Sequence, residues 1–228
     1  MGLYDRDYAR PEASKTIITN SKIEFIKQTY QLFAASLFVA ALGAFLTLPY
    51  AQVVSQYMIG FVLLEFAMLF GMSFLKDKPG INLIALFAFT FLTGVTLVPL
   101  ITYILSTVGA MIIANALFMT SVIVASMSYF AIKTKEDLTN YPKMLMIALI
   151  VIIGVSFLNL LFFHSGILSL FISGIVVLLF SYLVIVDTQN IIKGNFSSPI
   201  EGAIALYLDF LNIFTSLLNI LGFIGSED

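Results

Sequence analysis

Seven apolar stretches run through this sequence, separated by short polar segments. They lie at 30–48, 54–75, 81–105, 110–132, 144–163, 168–188 and 203–223. An α-helix needs about 20 residues to cross the ~30 Å hydrocarbon core of a bilayer, and each stretch is close to or above that length. With 60% hydrophobic and only 11% charged residues, the chain cannot be a soluble domain. We therefore predict an all-α membrane protein with seven transmembrane helices.

The basic residues predict how these helices are oriented. All eleven Lys and Arg residues fall before the first stretch or in the loops after the second, fourth and sixth. Basic loops stay in the cytoplasm, so we expect a cytoplasmic N-terminus and an external C-terminus. Residues 1–28 are interpreted as a cytoplasmic arm and 29–228 as the transmembrane domain. Short loops and the lack of cysteine favour the inner membrane of a bacterium.

Three acidic residues, Glu65, Asp187 and Asp209, lie inside or at the edge of apolar stretches. The last two are expected near the cytoplasmic ends of consecutive antiparallel helices, so their carboxylates can meet. Two acids in contact cannot both ionise cheaply and therefore share a proton, which makes the pair a candidate pH sensor. When ionised, the pair would be a weak Ca²⁺ site, because two carboxylates fall short of the 6–8 oxygens of a tight one.

A polar stripe is predicted along the last helix. Its members follow the spacing i, i+3, i+7 and i+10: Asp209, Asn212, Ser216 and Asn219. Such a stripe cannot face lipid and must face other helices or a water-filled cavity. For the Asn and Ser positions, hydrogen bonding between helices is the alternative to an ion path. Lys76, at the end of the second stretch, is either a latch for ionised Asp187 or a membrane-surface anchor.

Catalysis finds no support in the sequence. The single histidine, His164, lies in a predicted external turn, and the zinc-protease motif HExxH and the GxGD motif of aspartyl intramembrane proteases are missing. Without cysteine, thiolate chemistry is excluded. We expect no enzyme activity, no cofactor and no nucleic-acid partner. Gly94 and Gly174 are expected at kinks or close helix contacts.

Several segments resemble the Bax-inhibitor family, also called transmembrane Bax inhibitor motif proteins. The most specific are "YLVIVDTQNII" and "ALYLDFLNIFTSLLNILG", and "FTFLTGVTLVPLITYI" and "LLEFAML" add to them. The resemblance implies a bacterial member with two three-helix layers around a central C-terminal helix. It also implies a pH-sensitive calcium leak channel in which Asp187 and Asp209 form the sensor. Ca²⁺ and protons would then be its partners, besides the lipid bilayer.

The resemblance also implies roles for two further residues. Lys76 takes the place of a basic latch residue that is usually arginine, and Glu65 would lie on or near the ion path. In the resulting hypothesis, protonation weakens the latch and opens a path past Glu65 and the stripe. Two alternatives remain open: a membrane protein that restrains a partner membrane protein, which the sequence does not identify, and a proton-coupled carrier of a small solute.

Overall fold

A computed structural model describes residues 9–75, 78 and 80–226, and the regular structure in these ranges is helical, without strands. The α-helices there are α1 (Ala9–Thr47), α2 (Ala51–Gln56), α3 (Met58–Leu75), α4 (Ile81–Thr107), α5 (Ala110–Lys133), α6 (Pro142–Leu158), α7 (Gly166–Lys193) and α8 (Pro199–Gly225). Two 3₁₀ turns, Leu48–Tyr50 and Leu138–Asn140, and a π-helical turn, Asn159–Phe163, connect or extend them.

Within the described ranges, six helical segments are long and apolar enough to cross a membrane. They are Asn20–Gln56, Ile81–Thr107, Ala110–Lys133, Lys143–Phe163, Gly166–Lys193 and Pro199–Gly225. These segments match six of the seven predicted spans, and the all-helical membrane architecture is confirmed. Helix α1 runs through residue 28 without interruption, and the division there into a cytoplasmic arm and a transmembrane domain stays a prediction.

The predicted second span, 54–75, is not confirmed as one continuous helix. The helix is interrupted at Tyr57, whose backbone angles are φ −103° and ψ 15°. α2 precedes this residue and α3 follows it. Position 57 is neither glycine nor proline, and the hydropathy of the segment continues through it, so the sequence carried no signal of the interruption.

The C-terminal helix α8 lies at the centre of the bundle. It packs against α1, α4, α5 and α7, whereas α3 packs mainly against α4 and α6 mainly against α7. Four large apolar or aromatic side chains of α8 are fully buried: Leu206, Tyr207, Ile213 and Leu218. The grouping of the other helices into two layers of three stays a prediction.

Contacts along α8 give the directions of α1 and α7. Thr29 of α1 lies beside Gly202, and the rings of Phe33 and Phe210 are 6.1 Å apart, so α1 runs parallel to α8. Helix α7 is antiparallel to α8, because its first residue, Gly166, lies beside Phe223 and its last turn lies beside Gly202.

Helices α4 and α5 are placed in the same way. Ile104, near the end of α4, lies beside Gly222, so α4 is parallel to α8. Ile112, near the start of α5, lies beside Gly225, and Ser128, near its end, bonds to Thr188 of α7. Helix α5 therefore runs antiparallel to α8, and the last turns of α5 and α7 lie at the same end as the start of α8.

Helices α1 and α4 approach each other through two glycines. Gly94 lies against the backbone carbonyl of Ala40, and Gly43 lies against the backbone carbonyl of Phe91. A Cβ atom at either glycine would collide with a carbonyl oxygen that cannot move independently of its helix. Gly94 thus marks a close helix contact, as expected, whereas Gly174 has no neighbouring atom within 4 Å of a Cβ position.

We predict that Gly94→Ala lowers the free energy of unfolding by about 1–3 kcal/mol, because the added methyl group overpacks the contact between α1 and α4. Gly174→Ala is the matched control and should be neutral or stabilising by about 0.5–1 kcal/mol, since alanine favours a helix over glycine. Thermal unfolding in detergent compares the two. Equal melting temperatures for the two variants would disprove the close contact.

Candidate functional site

Asp209 is the most deeply buried carboxylate that the structure describes. It lies on α8 with 3% of its surface exposed, and its Oδ2 atom has no hydrogen-bond partner in the described chain. A polar atom without a partner in an apolar surrounding costs free energy, and more if it is charged. Such a group persists where it has a function or where a missing partner arrives in another state of the protein.

Asp187, near the end of α7, is the acidic neighbour of Asp209. Its negative charge acts on Asp209 across the interface between α7 and α8, while its own carboxylate is hydrogen-bonded by the side chain of Asn190. Asp187 is only partly buried, so it lies closer to the water at this end. The structure thus brings the two predicted aspartates into one electrostatic site.

The third predicted member of the gate, Lys76, lies outside the described residues. Its role as a latch for Asp187 therefore stays a prediction.

The other members of the polar stripe on α8 have different surroundings. Ser216 is buried, with 6% of its surface exposed. Asn212 is half-buried, and its amide donates to the carbonyl of Leu208 in the same helix at 2.7 Å. Asn219 is exposed and borders a cavity of about 180 Å³ among α4, α7 and α8, at the end opposite to the aspartates. The stripe therefore begins at a buried carboxylate and ends at a cavity mouth.

Glu65 lies on α3, and its carboxylate bonds to α4. The hydroxyl of Thr96 donates to its Oε1 at 2.5 Å. The same hydroxyl is 3.0 Å from the backbone carbonyl of Thr93, one turn earlier on α4. The predicted path residue on α3 is thus held by a row of threonines.

That row continues to a fully buried tyrosine of α8. The hydroxyl of Thr93 bonds to the hydroxyl of Tyr207, and it also lies 2.8 Å from the carbonyl of Thr90. The hydroxyl of Tyr207 also lies 3.5 Å from the carbonyl of Thr90, so either hydroxyl can be the donor in the pair of Thr93 and Tyr207. Polar contacts that the sequence did not predict therefore join α3, α4 and α8 through Glu65, Thr93 and Tyr207. The signal was the spacing of Thr90, Thr93 and Thr96 at i, i+3 and i+6.

Tyr207 and Asp209 lie on opposite faces of α8. Successive residues of an α-helix turn by about 100°, so two positions correspond to about 200°. Glu65 acts electrostatically on Tyr207, whereas the group that acts on Asp209 is Asp187. The path past Glu65 and the stripe stays a prediction, and Glu65 and Asp209 interact with opposite faces of α8 in this arrangement.

The part of the chain that the structure describes contains no evident binding site for a resident metal ion. No cluster of three or more His, Cys, Asp or Glu side chains suited to a metal occurs there. The two aspartates supply hard oxygen atoms suited to Ca²⁺, but too few for tight binding.

This chain is similar to one protein family and to several bacterial proteins. The family model described as "Inhibitor of apoptosis-promoting Bax1" matches residues 22–226. An uncharacterised protein of Campylobacter jejuni is 48% identical over 97% of both chains, and one of Helicobacter pylori is 46% identical over the full length of both. The modulator of FtsH protease YccA of Escherichia coli is 28% identical over 98% of this chain and 100% of its own, and in another strain this relative is described as an inner membrane protein.

We predict that Asp187→Asn and Asp209→Asn are energetically coupled, whereas Glu65→Gln and Asp209→Asn are additive. Groups that interact directly show coupling energies of about 0.5–3 kcal/mol, and independent sites add within about 0.5 kcal/mol. Two double-mutant cycles, measured by unfolding in detergent, give both values. Strong coupling of Glu65 to Asp209, with none between the aspartates, would contradict the separation of the two faces.

Proposed function

The chain belongs to the Bax-inhibitor family and is a multi-pass inner-membrane protein, and from this premise we propose that it is a pH-sensitive leak channel for Ca²⁺. The proposed gate is the pair formed by Asp187 and Asp209. Ca²⁺ is the transported ion and protons are the signal. The proposal includes no catalysed reaction and no cofactor.

The observation that carries this proposal is the buried carboxylate of Asp209, which has an oxygen without a hydrogen-bond partner in the described chain and interacts electrostatically with the carboxylate of Asp187. In a low-dielectric surrounding, two such acids hold one proton more readily than two negative charges. Protonation or loss of that proton changes the charge between α7 and α8. An ionisable group in this position is expected to respond to pH and to attract cations.

The proposed topology has seven crossings. Helices α1 and α4 both run parallel to α8, so the chain between them must return across the bundle. α2 and α3 make this return alongside α4 despite the interruption at Tyr57. We propose that together they form the remaining crossing, with the lysine-rich end of the bundle in the cytoplasm.

The proposed gating motion involves α3. Its packing is mainly on α4 and α2, and much of its surface is exposed to the surroundings of the bundle. In the closed state, Lys76 pairs with ionised Asp187 and holds the end of α3 in place. Protonation of the aspartate pair removes the charge that Lys76 binds, so α3 is released and the leak rises as the pH falls.

We predict that Asp209→Asn and Asp187→Asn each remove most of the pH dependence of Ca²⁺ flux, because neither variant retains a pair that can share a proton. The measurement is Ca²⁺ entry into liposomes that contain the purified protein, over a series of pH values. Glu24→Gln is the matched control, since Glu24 lies at the same end but is exposed on the surface of α1. An unchanged pH dependence in both variants would place the gate elsewhere.

The Escherichia coli relative favours a second candidate function. It is named a modulator of FtsH protease, so this chain is also a candidate regulator of that protease in its own host. The bundle offers apolar surface for such a contact, since Ile147, Ile150 and Ile153 of α6 are exposed.

For this candidate we predict that adding the purified chain changes the rate at which reconstituted FtsH degrades a membrane substrate. If the chain modulates the protease through contacts of its outer surface, the Asp209→Asn variant should still change the degradation rate. This variant alters a buried carboxylate and leaves the outer surface intact. A modulator that acts through ion flux should lose the effect in this variant. No effect of the wild-type chain at any ratio would exclude the candidate.

A further inference from the structure

Four consecutive residues near the end of α7 contact different parts of the molecule. Asp187 faces α8, and Asn190 bonds back to Asp187. Thr188 contacts α1 and α5, and Gln189 contacts the loop between α5 and α6. Because successive helical residues point about 100° apart, these contacts surround the helix. The position of Asp187 is therefore fixed from several sides.

Thr188 makes the contacts with the helices next to α7. It is fully buried, and its hydroxyl lies 3.4 Å from the hydroxyl of Tyr30 on α1 and 3.3 Å from that of Ser128 on α5. A single polar contact point thus joins α1, α5 and α7 beside the aspartate pair.

Gln189 makes the contacts with the loop. Only 5% of its surface is exposed, and both polar ends of its amide are used. Its Oε1 accepts from the backbone N–H of Leu138 at 2.9 Å, and its Nε2 donates to the backbone carbonyl of Glu136 at 2.8 Å. Residues 134–141, here called the clamp loop, are therefore fastened at two points to α7. Without Gln189, two backbone groups would lose their partner.

Two more residues of α7 hold the clamp loop from the same face as Gln189. Tyr182, Gln189 and Lys193 follow the spacing i, i+7 and i+11, which places them in one line along the helix. Tyr182 donates to the carbonyl of Leu138 at 3.4 Å. Lys193 forms an ion pair with Asp137 in the loop.

The ion pair keeps its charge in mild acid. Hydrogen bonds from Lys193 and Thr139 lower the pKa of Asp137 from its usual 3.8 to about 2. Because the pKa is lower in the folded protein, the stabilising effect of the pair is present above pH 3.8 and is lost as the pH falls through about 2. Both groups are largely exposed, so solvent screens the pair and the buried amide of Gln189 is the stronger fastening.

We propose that Gln189 is the positioning residue of the aspartate pair: it fastens the clamp loop to α7 and so holds Asp187 opposite Asp209. The clamp loop and α7 then form one rigid unit, and α8 and α3 can move relative to it. The role of the pair as a gate rests on the proposed function, but the fastening of the loop does not.

Other titratable groups contribute to the electrostatic surroundings of Asp187. The packed elements at this end carry the following groups: Asp209 and Glu201 on α8; Lys22, Glu24, Lys27 and Tyr30 on α1; Tyr129 and Lys133 on α5; Lys135, Glu136, Asp137 and Tyr141 in the clamp loop; Lys143 on α6; and Tyr182 and Lys193 on α7 itself. Gln189 is neutral, so replacing it with another neutral residue changes the position of Asp187 without changing this set of charges.

The test compares Gln189→Met, which has a similar length but no amide, with the matched control Gln28→Met, an exposed glutamine at the same end. Leu138→Pro is the second variant, because it removes the N–H that Gln189 accepts from. The preceding residue, Asp137, already has the extended backbone (φ −87°, ψ 100°) that proline favours before it. All are studied as full-length protein in detergent.

The first readout is trypsin cleavage at Lys135, which lies exposed in the clamp loop. Gln189→Met and Leu138→Pro should raise its rate about tenfold, as expected when buried hydrogen bonds that hold a segment are lost. Gln28→Met should leave it unchanged. Unchanged cleavage in both loop variants would overturn the fastening and with it the proposal.

The second readout is the infrared absorption band of the protonated carboxyl group of Asp209. The band is identified by its loss in Asp209→Asn, and its intensity is measured over a series of pH values. Gln189→Met should move its midpoint by about 0.5 pH unit or more, because the distance between the two acids changes. Faster cleavage with an unmoved midpoint would mean that Gln189 holds the loop only, and would overturn its positioning role. A moved midpoint without any Ca²⁺ leak would support this inference while rejecting the proposed channel.

Discussion

The burial of one carboxylate governs this structure. Asp209 would be prohibitively costly on a lipid-facing surface, so α8 must direct it inward, and a helix with an inward polar group needs neighbours on that side. α8 accordingly packs against four helices and occupies the centre. Even there, one oxygen of Asp209 stays unpaired, and its acidic neighbour adds repulsion instead of compensation. The bundle therefore keeps an unfavourable interaction between two carboxylates at its core. Such an interaction is expected if the proposed function depends on a change in the charge of this pair.

The two faces of α8 contact different helices and different polar groups. The face with Asp209 meets α7, which carries Asp187, the other member of the proposed gate. The face with Tyr207 meets α4, where hydroxyl groups lead to Glu65 on α3. Since α8 contacts both, a shift of α8 that follows a change of charge at one face alters the contacts at the other. The clamp loop keeps α7 fixed, so such a shift would be transmitted towards α3.

Much of this could be predicted from the sequence, and the exceptions have physical reasons. Apolar length alone located six spans, and the order of the last two helices with their short loop predicted that Asp187 and Asp209 lie near enough to interact electrostatically. The interruption at Tyr57 was hidden, because hydropathy records composition and not backbone angles. The row from Glu65 to Tyr207 was missed because threonine and tyrosine are common in ordinary helices, and their role depends on which helices become neighbours. Gln189 was overlooked for the same reason, since its partners are backbone atoms about 50 residues away.

The most direct test of the central claim is whether the side chains at 187 and 209 face each other in the membrane. The chain has no cysteine, so paired substitutions Asp187→Cys with Asp209→Cys can be cross-linked without background. A short bifunctional thiol reagent, applied to the protein in liposomes and followed by mass spectrometry, should join this pair efficiently. It should not join Glu65→Cys with Asp209→Cys, where α8 intervenes. Cross-linking of the second pair but not the first would contradict the account.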